Sequence, residues 1–364
     1  MPVEFHPLTV RDVEHLTDDS VRVTLEPLPG DRDVFRHIPG QHLTLRATID
    51  GEDVRRSYSI CSAPANGPLQ VGIKRLPGGL FSTWANTTLT AGEVIASTAP
   101  AGDFTLDPAT ADGHAYVAIA AGSGITPVMA IIASVLRDQP TSRFTLVYGN
   151  RTSGSVMFLD DLDALKGKYP DRLMVVHVLS REDHDLPLLS GRIDADKVTD
   201  LCAMLIPSAS IDGWFLCGPR GMVEGARQAL SVLGVDPALV HDELFYAGGD
   251  GPIAVAEDDV DGAQIRFTLD GRTSTVFVDP QGAPILDHVL AVRPEGPFSC
   301  RSGACASCRA LVTKGEVRMD RNWSLNQEEV DAGQVLTCQA HPVSDSVELT
   351  YDLSLIHISE PTRP

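Results

Sequence analysis

Four cysteines near the carboxyl end of the chain have a spacing suited to metal chemistry. Cys300, Cys305 and Cys308 stand at C-x4-C-x2-C spacing, and Cys338 follows alone after residues 309–337. Four thiolates at this plant-type spacing hold a [2Fe–2S] cluster, which passes one electron at a time. A structural zinc ion is the alternative to the cluster, but zinc sites usually join two short hooks of paired cysteines. The spacing therefore predicts a [2Fe–2S] centre, and residues elsewhere must supply its electrons.

The stretch Arg56-Ser57-Tyr58-Ser59 combines a cation, an aromatic ring and two hydroxyls. On a strand, side chains alternate between faces, so Arg56 and Tyr58 share one face and the serines the other. An arginine can neutralise a pyrophosphate, a tyrosine can lie on the isoalloxazine ring of a flavin, and Ser59 can hydrogen-bond near its N5. Alone, these four residues are more often an ordinary surface strand.

A glycine turn strengthens the flavin interpretation. Gly78-Gly79 follows an alternating apolar stretch and runs into a helix that contains Ser82. The free N–H groups at a helix N-terminus bind phosphate, and small residues leave room for one. A glycine turn with a capping serine is the alternative explanation. Because this turn follows R-x-Y-S in the same chain, a phosphate site is a better interpretation than an ordinary turn.

Three loops that follow strands predict a dinucleotide site. Residues 122–127, with the sequence G-S-G-I-T-P, join a strand to a helix; Thr126 is a good N-cap and Pro127 a good first helical residue. The third glycine of G-x-G-x-x-G is missing. Residues 180–182 and 217–219 follow two further strands, and ligands of open α/β sheets bind at those carboxyl ends.

The elements that must position these residues change in type along the chain. Residues 3–108 contain short alternating strands separated by Pro-Gly, Asp-Gly and Asn-Gly turns, which indicates an antiparallel barrel. Residues 114–246 alternate strands with helices, which indicates βαβ units on a parallel sheet. Beyond them, 264–269 and 273–278 look like a hairpin, and 285–292 like a short helix that precedes the cysteine loop.

These changes of pattern divide the chain. The segment after residue 247 is rich in glycine and acid without apolar periodicity, so we expect a flexible, self-repelling linker. The last residues fit no preceding pattern, and we expect a disordered, non-native extension. The predicted segments are a flavin-binding barrel at 1–110, a nicotinamide-binding α/β domain at 111–247, the linker at 248–262, a ferredoxin domain at 263–352 and the extension at 353–364.

Composition restricts the partners and the compartment. The net charge is −20 and the hydrophobic fraction 43%, so nucleic acid and anionic membranes are poor partners, whereas a basic protein is a suitable one. No apolar run approaches a membrane span, and residues 1–6 lack the pattern of a secretory signal. The 7 cysteines form no disulfide framework, which favours a reducing compartment. We expect a cytoplasmic monomer.

The order of the motifs resembles one family. R-x-Y-S, G-G-L-F-S, G-S-G-I-T-P and C-G-P, followed by a plant-type ferredoxin spacing, are similar to the reductase component of multicomponent oxygenases, and above all to phenylacetyl-CoA epoxidase and 3-ketosteroid 9α-hydroxylase reductases. The stretches 148–151, 169–173 and 344–352 extend the resemblance to about residues 5–352. It implies an antiparallel flavin-binding β-barrel, a parallel-sheet nicotinamide-binding domain and a β-grasp ferredoxin domain.

The resemblance also implies roles for single residues around the flavin. Tyr58, Ser59 and Cys217 are expected at the reacting flavin and nicotinamide rings. Phe245 matches the aromatic residue that shields one flavin face until the nicotinamide displaces it. The residues expected to bind FAD are Arg56, Ser57, Tyr58, Ser59, Ile73, Lys74, Gly79, Leu80, Phe81, Ser82 and Phe245.

Ser180 and Arg181 resemble the pair that holds the 2′-phosphate of NADPH in ferredoxin–NADP reductases. This favours NADPH, although an arginine there can equally contact the adenosine of NADH or lie in solvent. The residues expected to bind NAD(P) are Gly122, Ser123, Gly124, Thr126, Pro127, Ser180, Arg181, Cys217, Gly218 and Pro219. The metal ligands are Cys300, Cys305, Cys308 and Cys338.

The sequence thus predicts an electron-transfer reductase. NAD(P)H would give a hydride to FAD, and the [2Fe–2S] cluster would pass single electrons to a terminal oxygenase; the cofactors carry the chemistry and the protein binds and orients them. One alternative is a reductase that serves a diffusible redox carrier without a dedicated oxygenase. Another is a non-enzymatic redox sensor. The sequence disfavours this alternative, because it shows no signalling or DNA-binding module beside the three domains.

Overall fold

The computed structural model describes residues 4–64, 67–107, 112–182, 184–245, 262–293 and 296–353. They belong to two compact units, one within Phe5–Ala247 and one within Gly248–Pro364. The first unit contains an antiparallel sheet and a parallel sheet, and the second contains a mixed sheet. This confirms the predicted fold class. No helix in the described part of the chain is long and apolar enough to cross a bilayer.

The first sheet is antiparallel throughout, and its strands follow the order β4-β3-β6-β1-β2-β5. A bridge between Ile60 and Val71 brings the two edge strands together, so the sheet closes into a barrel. The elements are β1 (His6–Thr17), β2 (Ser20–Pro27), β3 (His42–Ile49), β4 (Glu52–Ser59), β5 (Leu69–Lys74), α1 (Leu80–Thr87) and β6 (Val94–Ser97).

Alternating apolar residues form the barrel core, as the sequence pattern predicts. Val21 and Val23 on β2 and Leu43 and Leu45 on β3 are buried and belong to one cluster. Polar neighbours along the strands face outward because successive side chains of a strand point to opposite faces. Helix α1 inserts Phe81 into the same cluster, which fixes the glycine turn before it against the barrel.

The second sheet is parallel, in the order β11-β10-β7-β8-β9. Helices α2 and α3 pack on the face turned toward the barrel, and α4 and α5 pack on the other. The elements are β7 (Ala115–Ala121), α2 (Ile125–Asp138), β8 (Arg143–Asn150), α3 (Leu159–Lys168), β9 (Leu173–Leu179), α4 (Ala195–Met204), β10 (Gly213–Gly218), α5 (Arg220–Val232) and β11 (Val240–Leu244).

Two details of helix placement differ from the sequence prediction. Thr126 does not cap α2: the helix begins at Ile125 after a 3₁₀ turn at Gly122–Gly124, and the Thr126 hydroxyl donates to the Ser123 carbonyl oxygen at 2.9 Å inside the first turn. The sequence pattern predicts a helix over residues 156–168, but α3 begins at Leu159, because Phe158 adopts a left-handed conformation with φ 58°.

The second unit has a five-stranded mixed sheet in the order β13-β12-β18-β14-β16. Strands β12 and β18 are parallel, and the other neighbours are antiparallel, with α6 packed against the core. The elements are β12 (Ala263–Leu269), β13 (Arg272–Val278), α6 (Ile285–Val292), β14 (Arg309–Lys314), β15 (Val317–Met319), α7 (Gln327–Asp331), β16 (Gln334–Leu336), β17 (Ala340–Pro342) and β18 (Ser346–Thr350).

The predicted hairpin is present, with Asp270 and Gly271 both at positive φ as a tight two-residue turn requires. The Asp352 carboxylate accepts from both of their N–H groups at 2.8 Å, which ties the end of this domain to the turn. Cys338 was expected on a strand, but it lies in the turn between β16 and β17. The predicted linker, apart from Gly262, and the extension beyond Leu353 lie outside the described residues.

Candidate functional site

The cysteine loop lies between α6 and β14 and is folded around its sulfurs. Arg301, Gly303 and Ala306 have positive φ, so the backbone reverses direction several times within a few residues. These reversals turn the N–H groups of Ser302 and Ala304 onto the Cys300 sulfur at 3.4 Å. A β-carbon on Gly303 would lie 3.1 Å from the carbonyl oxygen of Arg321, so the loop is packed closely there.

The four cysteines stand in two pairs. The Cys300 sulfur is in hydrogen-bonding contact with that of Cys305, and Cys308 makes the same contact with Cys338. The contact between these two sulfurs lowers the pKa of Cys300 and raises the pKa of Cys305, because the Cys305 thiol donates to the Cys300 sulfur. The Gln339 side chain donates to the Arg301 carbonyl oxygen at 2.9 Å and so ties the turn of Cys338 to the loop.

This arrangement fits a two-iron cluster. Among the described residues, no three side chains of the usual ligand types converge on a point suited to one metal ion. Two thiolate pairs instead match a cluster whose two irons each take two cysteines. Behind the second pair, the Tyr351 hydroxyl and the Thr337 hydroxyl lie 3.0 Å apart, and Thr337 donates to the Cys308 carbonyl oxygen at 2.9 Å. That the four cysteines hold the cluster therefore stays a prediction, with which this arrangement is compatible.

The R-x-Y-S stretch ends β4, next to β3 in the barrel. The Tyr58 ring is half-buried, and its centre lies 5.4 Å from that of Phe81 on α1, which brings the two predicted flavin motifs together. The Ser57 hydroxyl lies 3.2 Å from that of Thr44, and Ser59 is buried. Arg56 donates to the carbonyl oxygen of Arg55 at 2.6 Å.

Several residues predicted to bind FAD have side chains engaged elsewhere. The side chains of Ile73 and Phe81 belong to the barrel core, so only their backbone groups can face a ligand. The Lys74 ammonium pairs with Asp19 at 3.0 Å. The Ser82 hydroxyl closes its own turn, since it accepts from the Leu76 N–H at 3.1 Å and donates to the Gly79 carbonyl oxygen at 3.3 Å.

The start of α1 remains suitable for an anionic group. Gly79 is the N-cap and offers no side-chain acceptor, so the first N–H groups of the helix, including that of Leu80, keep the free donor character of any helix start. A β-carbon at Gly79 would lie 2.5 Å from the Ser82 hydroxyl, so this position favours glycine. A pyrophosphate bound by these backbone N–H groups stays a prediction.

The loops after β7 and β10 are in direct contact. A β-carbon on Gly124 would lie 2.1 Å from the carbonyl oxygen of Cys217, so only glycine allows this approach. The Tyr148 hydroxyl donates to the Gly122 carbonyl oxygen at 3.0 Å, and the Phe245 N–H donates to that of Gly218 at 3.0 Å. The predicted dinucleotide loop, the C-G-P loop and the predicted shielding aromatic residue are therefore held together at one edge of the sheet.

The third predicted loop lies at the same edge, beside β8. The N–H of Arg181 donates to the carbonyl oxygen of Arg151 at 2.8 Å, and that of Ser180 to the carbonyl oxygen of Asn150 at 2.9 Å. The Glu182 carboxylate accepts from the N–H and the hydroxyl of Ser153 at 2.8 and 3.1 Å. Since Glu182 is engaged in this way, the exposed guanidinium of Arg181 is the principal charge that this loop offers a ligand.

The barrel and the parallel sheet meet beside these loops. Gly72 on β5 packs so closely that a β-carbon there would lie 2.6 Å from the methyl group of Thr126 and 2.9 Å from the ring of Phe158. The aromatic rings of Phe104 and Phe215 meet edge to face at 5.7 Å. A strand of the predicted flavin domain is thus in contact with the predicted dinucleotide loop.

Two residues that the sequence analysis did not single out lie at this junction. The Ser59 hydroxyl donates to Oε2 of Glu243 at 3.5 Å, and Nδ1 of His42 lies 4.0 Å from Oε1. Burial raises the pKa of Glu243 to about 8 and, with Glu243 nearby, raises the pKa of Cys217 well above its usual range. The sequence signal was weak: Glu243 ends the polar run His241-Asp242-Glu243 on β11, two residues before Phe245.

The geometry therefore supports a site where a flavin ring and a nicotinamide ring can lie together. Ser59 and Tyr58 come from the barrel, Cys217 and Phe245 come from the parallel sheet, and the Ser59–Glu243 contact joins the two. Buried neutral groups around such a place exclude water, which favours hydride transfer over proton exchange with solvent. The residues fit a flavin from the barrel side and a nicotinamide from the sheet side.

Family models match three parts of the chain. An oxidoreductase FAD-binding domain matches residues 7–106, an oxidoreductase NAD-binding domain matches 118–228, and a 2Fe-2S iron-sulfur cluster binding domain matches 267–343. These matches support FAD, a nicotinamide nucleotide and a [2Fe–2S] cluster as the cofactors.

Known proteins match nearly the whole chain. A component of the 1,2-phenylacetyl-CoA epoxidase from Escherichia coli is 41% identical over 348 residues, with 96% of this chain and 98% of that protein covered. The ferredoxin reductase component of 3-ketosteroid-9-alpha-monooxygenase from Mycobacterium tuberculosis is 39% identical over 324 residues, covering 87% and 86%. The structure of phthalate dioxygenase reductase shares the fold, with a TM-score of 0.62 at 22% identity over 95% of this chain and 98% of that one.

Proposed function

The chain belongs to the family of oxygenase reductase components that combine FAD-, NAD- and [2Fe–2S]-binding domains, and we propose that it delivers electrons from NADPH to an oxygenase acting on an aryl-acyl-CoA thioester. The observation that carries the choice of partner is the 41% identity to the epoxidase component, which extends over 348 residues. A 3-ketosteroid-9-alpha-monooxygenase reductase component from Rhodococcus rhodochrous is matched over a similar share of both chains, 94% and 96%, but at 36% identity.

The chain's own residues would place the reactants. When bound, FAD accepts a hydride and releases electrons singly, and a [2Fe–2S] cluster carries them one at a time. In our proposal, Tyr58 and Ser59 orient the flavin ring from the barrel. Cys217 and the loop that contains Gly124 position the nicotinamide. Phe245 covers the flavin face until the nicotinamide displaces it.

The coenzyme would be NADPH. The guanidinium of Arg181 is exposed at the carboxyl edge of the sheet, and a guanidinium binds a phosphate through bidentate charge-assisted bonds. Glu182, whose carboxylate would repel a 2′-phosphate, is instead bound to Ser153. In NADH-binding sites an acid usually accepts the ribose hydroxyl, and here the Glu182 carboxylate already accepts two hydrogen bonds from Ser153.

The remaining features of the proposal concern organisation and location. We propose domain boundaries at 1–110, 111–247 and 263–352, in agreement with the positions of the three matched families. We place the protein in the cytoplasm, because all 7 cysteines are free thiols and a reducing compartment keeps them available to iron. A monomeric state is part of the same proposal.

Reconstitution with an oxygenase tests the proposed function. The chain, loaded with FAD and its cluster, would be mixed with the oxygenase component of Escherichia coli phenylacetyl-CoA epoxidase, NADPH and phenylacetyl-CoA. We expect the epoxide, detected by mass spectrometry, in proportion to the NADPH consumed. Parallel mixtures would contain a 3-ketosteroid 9α-hydroxylase oxygenase, or cytochrome c as a general one-electron acceptor. Product only with the steroid oxygenase, or electron delivery only to cytochrome c, would contradict the proposal.

A further inference from the structure

The segments that carry Cys308 and Cys338 are tied together by a residue that lies between them in space. Cys308 directly precedes β14 and Thr337 directly follows β16, and these two strands are antiparallel neighbours. The Cys308 carbonyl oxygen accepts from the Thr337 N–H at 3.2 Å and from the Thr337 hydroxyl at 2.9 Å. Thr337, which directly precedes Cys338, therefore holds the two cysteine segments side by side.

The Tyr351 hydroxyl extends this arrangement into a chain of hydrogen bonds. It donates to the Thr337 hydroxyl at 3.0 Å. A hydroxyl has one hydrogen and two lone pairs, so Thr337 can give its hydrogen to Cys308 while it accepts that of Tyr351. Both hydrogens of the chain then point toward Cys308.

The position of Tyr351 is set by the sheet that carries it. It directly follows β18, and its N–H donates to the Thr268 carbonyl oxygen on β12 at 2.9 Å. Its ring packs in the core of the domain and meets the ring of Phe267 edge to face at 6.4 Å. The phenol is therefore aimed at Thr337 by the strands themselves rather than by a mobile loop.

The chain lies in a part of the protein from which water is excluded. Thr337 is fully buried, and Tyr351, Cys308 and Cys338 are buried with it. Hydrogen bonds in such surroundings are electrostatically stronger and polarise one another along a chain. Burial raises the pKa of Tyr351, and negative charge on Cys308 and Cys338 raises that pKa further. The phenol thus stays a hydrogen donor, and it lies within electrostatic reach of both cysteines.

We propose that Tyr351 is a positioning residue for the [2Fe–2S] cluster: through the Thr337 hydroxyl it holds the Cys308–Cys338 pair in place and raises the reduction potential of the cluster. This inference rests on the predicted role of these cysteines as ligands. Reduction adds one electron, and thus negative charge, to the cluster. Hydrogens that point toward Cys308 stabilise this charge, and hydrogen bonds around the ligands are one of the factors that set such potentials.

Four variants separate the hydrogen-bond chain from the packing around it. Tyr351→Phe removes the first hydrogen and keeps the ring. Thr337→Val removes the side-chain bond to Cys308 and keeps the shape of the side chain, whereas Thr337→Ser keeps the hydroxyl. The double variant Tyr351→Phe/Thr337→Val combines the two losses. Thr268→Val is the matched control, because the Thr268 hydroxyl lies 3.2 Å from that of Thr273 on the exposed side of the hairpin.

The first measurement is the midpoint potential of the cluster, from an anaerobic titration of the full chain loaded with FAD and cluster. At a fixed applied potential, Tyr351→Phe should lower the ratio of reduced to oxidised cluster by about threefold, as expected for the loss of one hydrogen bond. Thr337→Val should lower it by about tenfold, which is about 59 mV for a one-electron couple. The double variant should match Thr337→Val, because Tyr351 acts through Thr337.

The second measurement is the electron paramagnetic resonance spectrum of the chemically reduced cluster, which depends on the ligand geometry at the irons. Tyr351→Phe and Thr337→Val should shift its g values, whereas Thr337→Ser and Thr268→Val should keep the wild-type spectrum and potential. Neither measurement uses NADPH or an oxygenase, so a failure of the proposed electron delivery would not affect them. The iron and sulfide content of Cys338→Ser tests the ligand assignment separately, and a full cluster in that variant would remove the basis of the inference.

An unchanged potential and spectrum in Tyr351→Phe would overturn the inference. So would a shift in Thr337→Ser or Thr268→Val as large as that in Thr337→Val, because the hydroxyl chain would then not be the cause. An additive effect in the double variant would also contradict it, since Tyr351 would then act by another route. If Thr337→Val does not retain its cluster, Tyr351→Phe and Thr337→Ser still decide the outcome.

Discussion

The Ser59 hydroxyl lies 3.5 Å from Oε2 of Glu243, although the two residues belong to different sheets. Ser59 ends β4 of the barrel, and Glu243 lies on β11 of the parallel sheet beside Cys217. This contact places the predicted flavin residue next to a buried carboxyl and a buried thiol. The predictions that follow test this junction, the loops around it and the cluster that receives its electrons.

Glu243→Gln should make stability less dependent on pH. The folded protein keeps the Glu243 proton up to about pH 8, whereas an ordinary glutamate loses it near 4.5, so wild-type stability falls as pH rises through that window. The glutamine variant has no such proton to lose. The difference between its free energy of unfolding and that of the wild type should therefore grow from low to high pH, by on the order of 3 kcal/mol.

Denaturant unfolding of both proteins at about pH 5 and about pH 8.5 checks this. Glu52→Gln, at the exposed start of β4, gives the baseline for the same exchange at the surface. An advantage of Glu243→Gln that is equal at both pH values would show that the carboxyl is not held neutral by burial.

Cys338→Ser should remove the cluster and leave hydride transfer intact. Cys338 supplies one member of the second thiolate pair, and a serine oxygen is a poor substitute for a thiolate in an iron–sulfur site. We expect loss of the cluster absorbance and of electron delivery to cytochrome c, while NADPH still bleaches the flavin. Cys202→Ser, which changes a buried cysteine of the α4 core, is the control and should keep both the cluster and the hydride transfer. Equal loss of both activities in Cys338→Ser would contradict a modular electron path.

Gly124→Ala should weaken both folding and coenzyme binding. Its β-carbon would lie 2.1 Å from the Cys217 carbonyl oxygen, so the loop and the strand must separate, at a cost of about 1–3 kcal/mol. The displaced loop should also raise the KM for NADPH. Gly154→Ala, where a β-carbon meets nothing within 4 Å, should change neither quantity. Thermal unfolding and steady-state kinetics test both, and a wild-type KM in Gly124→Ala would remove this loop from the binding site.

Arg181→Ala should act on NADPH and not on NADH. A hydrogen bond to a charged group contributes about 1.5–3 kcal/mol, so the KM for NADPH should rise by about tenfold or more. Arg192→Ala, another exposed arginine after the same strand, is the control. Steady-state kinetics with both coenzymes test this prediction. An equal rise in the KM for NADH would show that Arg181 contacts the adenosine instead.

Local patterns predicted most of the fold. Alternation in β2 and β3 predicted the barrel, and the strand–helix alternation predicted the parallel sheet. Helix α4 was missed, although its Asp194 cap accepts from the Lys197 N–H at 2.9 Å and Val198, Leu201 and Cys202 form a short buried stripe. That stripe spans only two turns, so its periodicity is weak beside the polar residues around it.

The site was predicted less completely, for a physical reason. Motifs such as R-x-Y-S and G-S-G-I-T-P are contiguous in sequence and can be recognised without the fold. Glu243 approaches Ser59 across a gap of 184 positions, and the pairing of β3 with β4 places His42 beside Ser59, which no local pattern reveals. Likewise, the sequence cannot show that Lys74 pairs with Asp19 instead of remaining open to a ligand.

Anaerobic stopped flow with NADPH tests whether electrons pass from NADPH through FAD to the cluster. Flavin and [2Fe–2S] absorbance would be followed at separate wavelengths in the protein that carries both cofactors. We expect the flavin to bleach first and the cluster then to bleach at the rate at which the flavin recovers. In protein depleted of FAD, the cluster should stay oxidised. Reduction of the cluster by NADPH without FAD, or before the flavin, would contradict the proposed electron path.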